Sequence, residues 1–239
     1  MSLVEDIRSL SVEQIEAVEK LTLRWVFQAT LDFGLEALDI FRQSPDKVKE
    51  IGEDVTREVL DRLPGYNVPQ RVYGTVDYKK ARYIILPETM VRQALLVDSK
   101  AEKDSRSATI QMSQTSMRVR HRRGGRDVDE AGLLPPIYVC DGKQYLTTTA
   151  FLHFRYRDEK SVHHLEEVTI FGVPSGLLQE RYNPTAGESF WIAGRNAPTR
   201  GEDFRVRVSF KSLKATAPWR VQKIRYDGPR RTCIGAWEG

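Results

Sequence analysis

Two apolar, β-rich runs with a turn at Pro87-Glu88 between them occupy residues 72–100, VYGTVDYKKARYIILPETMVRQALLVDSK. Runs of Val, Ile, Leu and Tyr bounded by turn formers are strands of a sheet. The first run carries Asp77 and the second ends in Asp98-Ser99-Lys100. Successive side chains of a strand point to opposite faces, so Asp98 and Lys100 share a face and Ser99 points away. Strand pairing is expected to bring Asp77 alongside them. Two carboxylates suit a hard divalent cation such as Mg²⁺, and a neighbouring ammonium can orient water for attack on phosphorus. The chemistry implied is phosphodiester hydrolysis. An isolated D-x-K triplet says little, because most Asp–Lys pairs are solvated surface ion pairs. Here the triplet directly follows Ala94-Leu95-Leu96-Val97, where a buried strand should reach the edge of the sheet.

The charge distribution supports that direction. The formal net charge is +4, but residues 1–69 carry 8 Lys+Arg against 14 Asp+Glu and the remainder carries 29 against 19. An acidic flank therefore precedes a basic part that should meet a polyanion. Arginine outnumbers lysine 25 to 12, which favours bidentate recognition of phosphates and guanines. At 239 residues and 40% hydrophobic content, the chain can bury a full core without staples. Cys140 and Cys233 stand far apart and form no C-x-x-C, so neither a disulfide framework nor a zinc site is indicated. No apolar run reaches membrane-span length and the acidic N-terminus is unlike a signal peptide, so a soluble cytoplasmic protein with no membrane partner is expected.

Along the chain, Ser11 with Gln14 reads as a capping box for a long first helix to about Phe41, with a kink near Gly34. A second helix from Ser44-Pro45 to Pro64-Gly65 carries Val48, Ile51, Val55, Val59 and Leu63 on one stripe. The stripes of both helices are expected as scaffold or as a subunit interface. Glu53 on the second helix is a candidate auxiliary carboxylate, against the ordinary reading of an acidic solvent face. Residues 101–117 read as a short helix or loop that carries Arg106 and Gln114 beside a bound duplex. Residues 118–126, RVRHRRGGR, would place Arg118, Arg120 and Arg122 on one edge of an extended segment facing phosphates, or form a solvated loop around Gly124-Gly125. Residues 145–156 and 167–173 read as strands. His153, His163 and His164 match no zinc spacing, and His163-His164 is expected in a loop. In residues 204–210, FRVRVSF, the alternation puts Phe204, Val206, Val208 and Phe210 on one face and Arg205 and Arg207 on the other, a geometry for reading bases or a plain solvent face. A short helix and a final strand are expected over 211–239.

Taken together, VEKLTLR, GTVDYKKAR, LLVDSKA, TTTAFLHFRYR, QERYNPTAGESFWIAGRNAPTRGE and PWRVQ, in that order over roughly residues 10–220, resemble the SfiI-type restriction endonucleases. That group belongs to the PD-(D/E)xK nucleases, in the branch that includes BglI and EcoRV. The resemblance implies one α/β endonuclease domain over residues 1–239, a restriction-endonuclease-like mixed central β-sheet flanked by helices, with 1–69 as helical flank and 70–239 as the catalytic and DNA-recognition part. It implies Mg²⁺ held by Asp77, Asp98 and the carbonyl of Ser99, with Lys100 completing the catalytic set and Arg205 and Arg207 facing the bases. It also implies double-stranded DNA as substrate, a homodimer as the minimum assembly with a tetramer open, a bacterial cytoplasmic setting, and a cognate DNA methyltransferase as genetic partner. A palindromic or interrupted palindromic site containing G·C pairs follows from paired arginines and two-fold symmetry. A repair or junction-resolving nuclease of the same fold and a non-catalytic DNA-binding protein stand as alternatives.

Overall fold

The structure, a computed structural model, describes residues 2–44, 47–63, 66–71, 81–103, 106–159, 162–194 and 205–239, with backbone alone for 66–71. Three helices come first. Helix α1 spans Val12–Asp32, α2 spans Gly34–Gln43 and α3 spans Val48–Asp61. Ser11 caps α1 through the reciprocal bonds of the expected capping box with Gln14. The kink read near Gly34 is a full break, so the long first helix is two helices divided at Phe33. The chain needs a glycine directly after that break, because a methyl group at Gly34 would overlap the sulfur of Cys233.

The strands are β1 (Tyr66–Arg71), β2 (Ala81–Leu86), β3 (Val91–Ala101), β4 (Ser107–Ile110), β5 (Val119–Arg123), β6 (Arg126–Glu130), β7 (Ile137–Cys140), β8 (Lys143–Glu159), β9 (Val162–Val173), β10 (Trp191–Ala193), β11 (Val206–Ser209), β12 (Val221–Asp227) and β13 (Thr232–Gly235). Short helices α4 (Gln179–Tyr182) and α5 (Phe210–Thr216) interrupt the later strands. The main sheet runs β1-β2-β3-β8-β9-β12-β13, with β7 paired to the start of β8. Of its ladders, only β3–β8 is parallel. A parallel neighbour cannot follow through a tight turn, and residues 102–142 make the crossover. Within it, β4 joins β10 and β11 in a second sheet, and β5 and β6 form a separate hairpin.

The expected α/β architecture is present, a mixed sheet with helices against it. Several local expectations differ. Residues 101–117 contain strand β4 and a 3-10 turn at Met112–Gln114, because Ser107 and Thr109 lie in the ladder with β11. Strand β9 starts at Val162, so His163 and His164 sit in the β8–β9 hairpin and not in a loop. Cross-strand pairs carry that extension: His163 to Asp158 at 2.7 Å and Arg155 to Glu166 at 2.9 Å. Short β10 lies inside the stretch 183–201 that reads as irregular.

Seven consecutive residues of β3, Val91 to Val97, are buried, so both faces of the strand are covered. Leu95 and Val97 belong to the large core shared with α1, α2 and α3, whereas Ala94 and Leu96 pack in a smaller cluster with Ala81, Tyr83, Leu134 and Tyr145. The stripes of the N-terminal helices are spent in this core. Ile15, Val18, Val48, Ile51, Val55 and Val59 are all buried within the one chain, so these stripes are scaffold and not the subunit interface also expected of them. Each such side chain stabilises the fold by roughly 1.5–3 kcal/mol.

One buried charge pair ties the first helix to the far end of the chain. Glu19 on α1 accepts from Arg220 at 2.5 Å and from the Ser175 backbone N–H at 2.7 Å, and both charged side chains are buried. Burial pushes the Glu19 carboxyl up against the opposing pull of Arg220. The Arg220 guanidinium also stacks between the rings of Tyr182 and Trp219. Glu19→Ala leaves that guanidinium buried without its counter-charge and is expected to lower stability by about 3–5 kcal/mol in urea denaturation. Glu19→Ala combined with Arg220→Met should recover part of the loss.

Candidate active site and nucleic-acid interface

Strand parity places the site. Ala94, Leu96, Asp98 and Lys100 alternate along one face of β3, and Ser99 lies on the other, where a Cβ at Gly52 of α3 would come 3.8 Å from the Ser99 Cβ. The apolar cover on the first face ends at Leu96, so Asp98 and Lys100 emerge at its border. Their side chains are 21% and 15% exposed and lie 2.9 Å apart, Nζ to Oδ2. Across the parallel ladder Asp98 is level with Phe151 and Lys100 with His153. His153 is buried edge-on against Phe210 of α5, so it is core, as its spacing suggested.

A third side chain completes the pair. Gln114, 7% exposed, donates through Nε2 to Asp98 Oδ2 at 2.7 Å and accepts at Oε1 from Lys100 Nζ, also at 2.7 Å. The Gln111 backbone N–H donates to the same Oε1 at 3.1 Å, which holds the amide in place. Only an amide or a comparable donor–acceptor group can serve a carboxylate and an ammonium together. The side chain expected beside a duplex is therefore turned inward, between the two residues of the D-x-K triplet.

Asp77 lies outside the described residues, and among the described residues no three His, Cys, Asp or Glu side chains gather to hold a metal. The donor chemistry at the border of β3 is that of a hard cation: the Asp98 carboxylate and the Ser99 carbonyl are oxygen donors, the set that suits Mg²⁺. Glu53 is on α3, part-exposed and paired with Lys49 at 4.0 Å.

Recognition candidates sit on the second sheet. Val206 and Val208 are fully buried while Arg205 and Arg207 are part-exposed, the alternation read from the sequence. Arg205 accepts from Gly194 N–H through its carbonyl at 2.9 Å. The Arg207 guanidinium donates to Ser107 Oγ (2.8 Å), Thr109 Oγ1 (2.9 Å), the Ser107 carbonyl (2.8 Å) and Glu102 Oε2 (2.9 Å). Arg106, exposed, precedes β4, and its carbonyl accepts from Phe210 N–H.

The basic stretch is an ordered hairpin. Gly124 and Gly125 take φ of 56° and 79° at its tip, which glycine adopts without strain. Val119 and His121 are buried beneath it, and Arg118, Arg120 and Arg122 face outward, on one edge as the extended reading required. Burial, followed by the charge of Arg123, lowers the His121 pKa below the usual imidazole value. Arg118 and Arg120 pair with Asp129, Arg120 also with Glu180, and Arg122 with Asp127. The hydrogen bond to Glu180 and the charge of Asp129 raise the Arg120 pKa further.

A mixed sheet whose parallel strand ends in Asp-x-Lys, beside a basic hairpin, defines a nuclease-like α/β protein. The sequence relationships agree. A family profile described as type II restriction enzyme SfiI matches residues 30–224. The type II restriction enzyme SfiI of Streptomyces fimbriatus is 36% identical over 98% of this chain and 92% of its own length. A crystal structure of tetrameric restriction endonuclease SfiI bound to cognate DNA superposes with a TM-score of 0.84 at 34% identity, covering 97% of this chain and 91% of that one. The chain belongs to the SfiI family of type II restriction enzymes.

Glu102 and Gln114 are the contributors to this region whose roles the sequence reading did not give. Glu102 continues the parity of Asp98 and Lys100, which was a usable signal; Gln114 depends on how the crossover folds back. Gln114→Leu removes a donor from Asp98 and an acceptor from Lys100, both part-buried. The expected cost is about 1–3 kcal/mol of folding stability, read as a shift of the urea midpoint at unchanged slope.

Proposed function

We propose that this protein is a type II site-specific deoxyribonuclease that cuts both strands of duplex DNA at a G·C-containing, palindromic or interrupted palindromic site. The observation that carries the reading is the part-buried Asp98–Lys100–Gln114 cluster at the border of β3 in a chain of the SfiI family. Mg²⁺, the cation proposed here, supplies when bound a Lewis acid for the phosphoryl oxygens and for the entering water. Asp98, the Ser99 carbonyl and Asp77 are the residues proposed to hold it.

The protein's own groups have separable roles in this scheme. Asp98 presents its carboxylate at the border of the apolar cover. Lys100 directs its ammonium toward the attacking water and the charge that develops on the phosphoryl oxygens. Gln114 holds both side chains in register while the water attacks phosphorus and the P–O ester bond breaks. Glu53 stays a candidate auxiliary carboxylate. Arg205 and Arg207 are proposed to read bases, and Arg106 with Arg118, Arg120 and Arg122 to meet the backbone, exchanging acidic partners for phosphates.

A palindromic site demands matching protein symmetry, so a dimer is the minimum assembly and a tetramer is compatible with it. The SfiI structure, tetrameric and bound to cognate DNA, supports both duplex DNA and self-association for this chain. A bacterial cytoplasmic location, with a DNA methyltransferase as genetic partner and the whole chain as one endonuclease domain, completes the proposal; among the described residues no helix is long and apolar enough to cross a membrane.

Incubation with unmethylated plasmid and Mg²⁺ should give discrete fragments, and sequenced ends should map one site. Lys100→Ala and Asp98→Ala should each lower cutting at least a hundredfold, on the scale of removing a charged group that acts in the transition state. Duplex binding in Ca²⁺ should survive in the lysine variant. Cutting that continued at wild-type rate after chelation, or in Lys100→Ala, would refute the assignment, and a requirement for a lesion or junction would favour the repair reading.

A further inference from the structure

Strand β3 does not end its functional face at Lys100. Two residues on, Glu102 has the same parity as Asp98 and Lys100, and its carboxylate leaves the catalytic strand toward the second sheet. Its Oε1 accepts from the Thr109 backbone N–H at 3.0 Å, and its Oε2 accepts from Arg207 Nη2 at 2.9 Å. The two charged side chains are 21% and 22% exposed, so the pair lies between the strands and not in open solvent. Glu102 N–H also donates to the Phe154 carbonyl on β8, which anchors its backbone to the main sheet.

The guanidinium geometry gives this pair a consequence. A planar guanidinium offers two forks for a bidentate partner, Nε with Nη2 and Nη1 with Nη2. Both forks use Nη2. In Arg207, Nη2 donates to Glu102 Oε2 and to the Ser107 carbonyl, while Nε is held by Ser107 Oγ and Nη1 donates to Thr109 Oγ1. Arg207 therefore cannot grip the O6 and N7 of a guanine in the bidentate manner until at least one Nη2 bond is surrendered.

We propose that Glu102 is a latch on a recognition residue, which holds Arg207 to the end of β3 in the free protein and releases it only to a base that replaces the surrendered acceptors, so that it sets the affinity for the correct site. This rests on the reading of Arg207 as a base contact. Guanine replaces them; a base with one acceptor or none leaves Arg207 better satisfied on Glu102, so the cost of opening the latch falls on cognate binding alone and the latch moderates affinity for the correct site. Because Glu102 and Lys100 are on one strand face, release of the latch is sensed at the strand that carries the reacting groups.

The test uses the full-length protein in Ca²⁺, the duplex mapped by sequencing digest ends, and a series with single base-pair substitutions. Glu102→Gln keeps the size and an acceptor for Thr109 but loses the charge. It should bind the cognate duplex about tenfold more tightly, the scale of one charge-assisted hydrogen bond, while affinity for the duplex substituted at the Arg207 base pair is unchanged, so that discrimination at that base pair rises and other base pairs are unaffected. Melting of the free protein should drop, and melting of the cognate complex should not. Ser107→Ala, which removes the Nε partner, should act in the same direction. Equal loss of melting temperature in free and bound protein, or weaker cognate binding at unchanged affinity for the substituted duplex, would make Glu102 a static brace and overturn the latch. Arg207→Ala separates the two claims. If it weakens all duplexes alike, the base reading itself fails; if it loses discrimination at one base pair while Glu102→Gln leaves cognate affinity unchanged, the latch alone is wrong.

Discussion

The parallel pairing of β3 with β8 is the constraint on which the rest depends. A strand buried on both faces from Val91 to Val97 must have its backbone groups satisfied by neighbours and its side chains covered by two layers. The three N-terminal helices supply one layer. A polar contact inside it links three elements: Gln93 Oε1 of β3 accepts from Thr22 of α1 and from Thr148 of β8, fixing helix, strand and neighbouring strand in one register. A slip by one residue would turn Asp98 and Lys100 toward α3 and bury two charges, so the core itself dictates where this pair emerges.

Parallel pairing also requires a long crossover, and the chain uses it to build the site. Between β3 and β7 the described residues leave the main sheet, contribute β4 to the second sheet, bring Gln114 back between Asp98 and Lys100, and form the basic hairpin. The excursion that topology demands thus supplies both the amide that bridges Asp98 and Lys100 and the Ser107 and Thr109 hydroxyls that hold Arg207. The end of β3 and strand β11 are thus joined by the Glu102–Arg207 ion pair as well as through β4.

Charge on the surface is arranged for exchange. The outward arginines of the hairpin rest on Asp127, Asp129 and Glu180, all exposed. Exposed ion pairs contribute little to stability, so replacing a carboxylate by a phosphate oxygen costs the fold almost nothing. The Glu19–Arg220 pair is the opposite case, buried and matched by stacking, and it serves to tie the first helix to the C-terminal strands.

The sequence determined what periodicity and local chemistry can express. The buried strand ending in Asp98-Ser99-Lys100, the capping box at Ser11, the alternation of Val206 and Val208 with Arg205 and Arg207, and the outward edge of Arg118, Arg120 and Arg122 all follow from side-chain parity and are seen in the structure. The family follows from the ordered motifs. Tertiary structure alone decided matters that depend on which segments meet. The kink legible near Gly34 became a full break at Phe33, and the Cys233 side chain that excludes a larger residue at Gly34 is distant in sequence. The helical stripes became scaffold because the chain's own sheet covers them. Gln114, Glu102 and Arg220 took their roles from partners 14, 105 and 201 residues away, and no local pattern encodes a contact that only chain crossover creates.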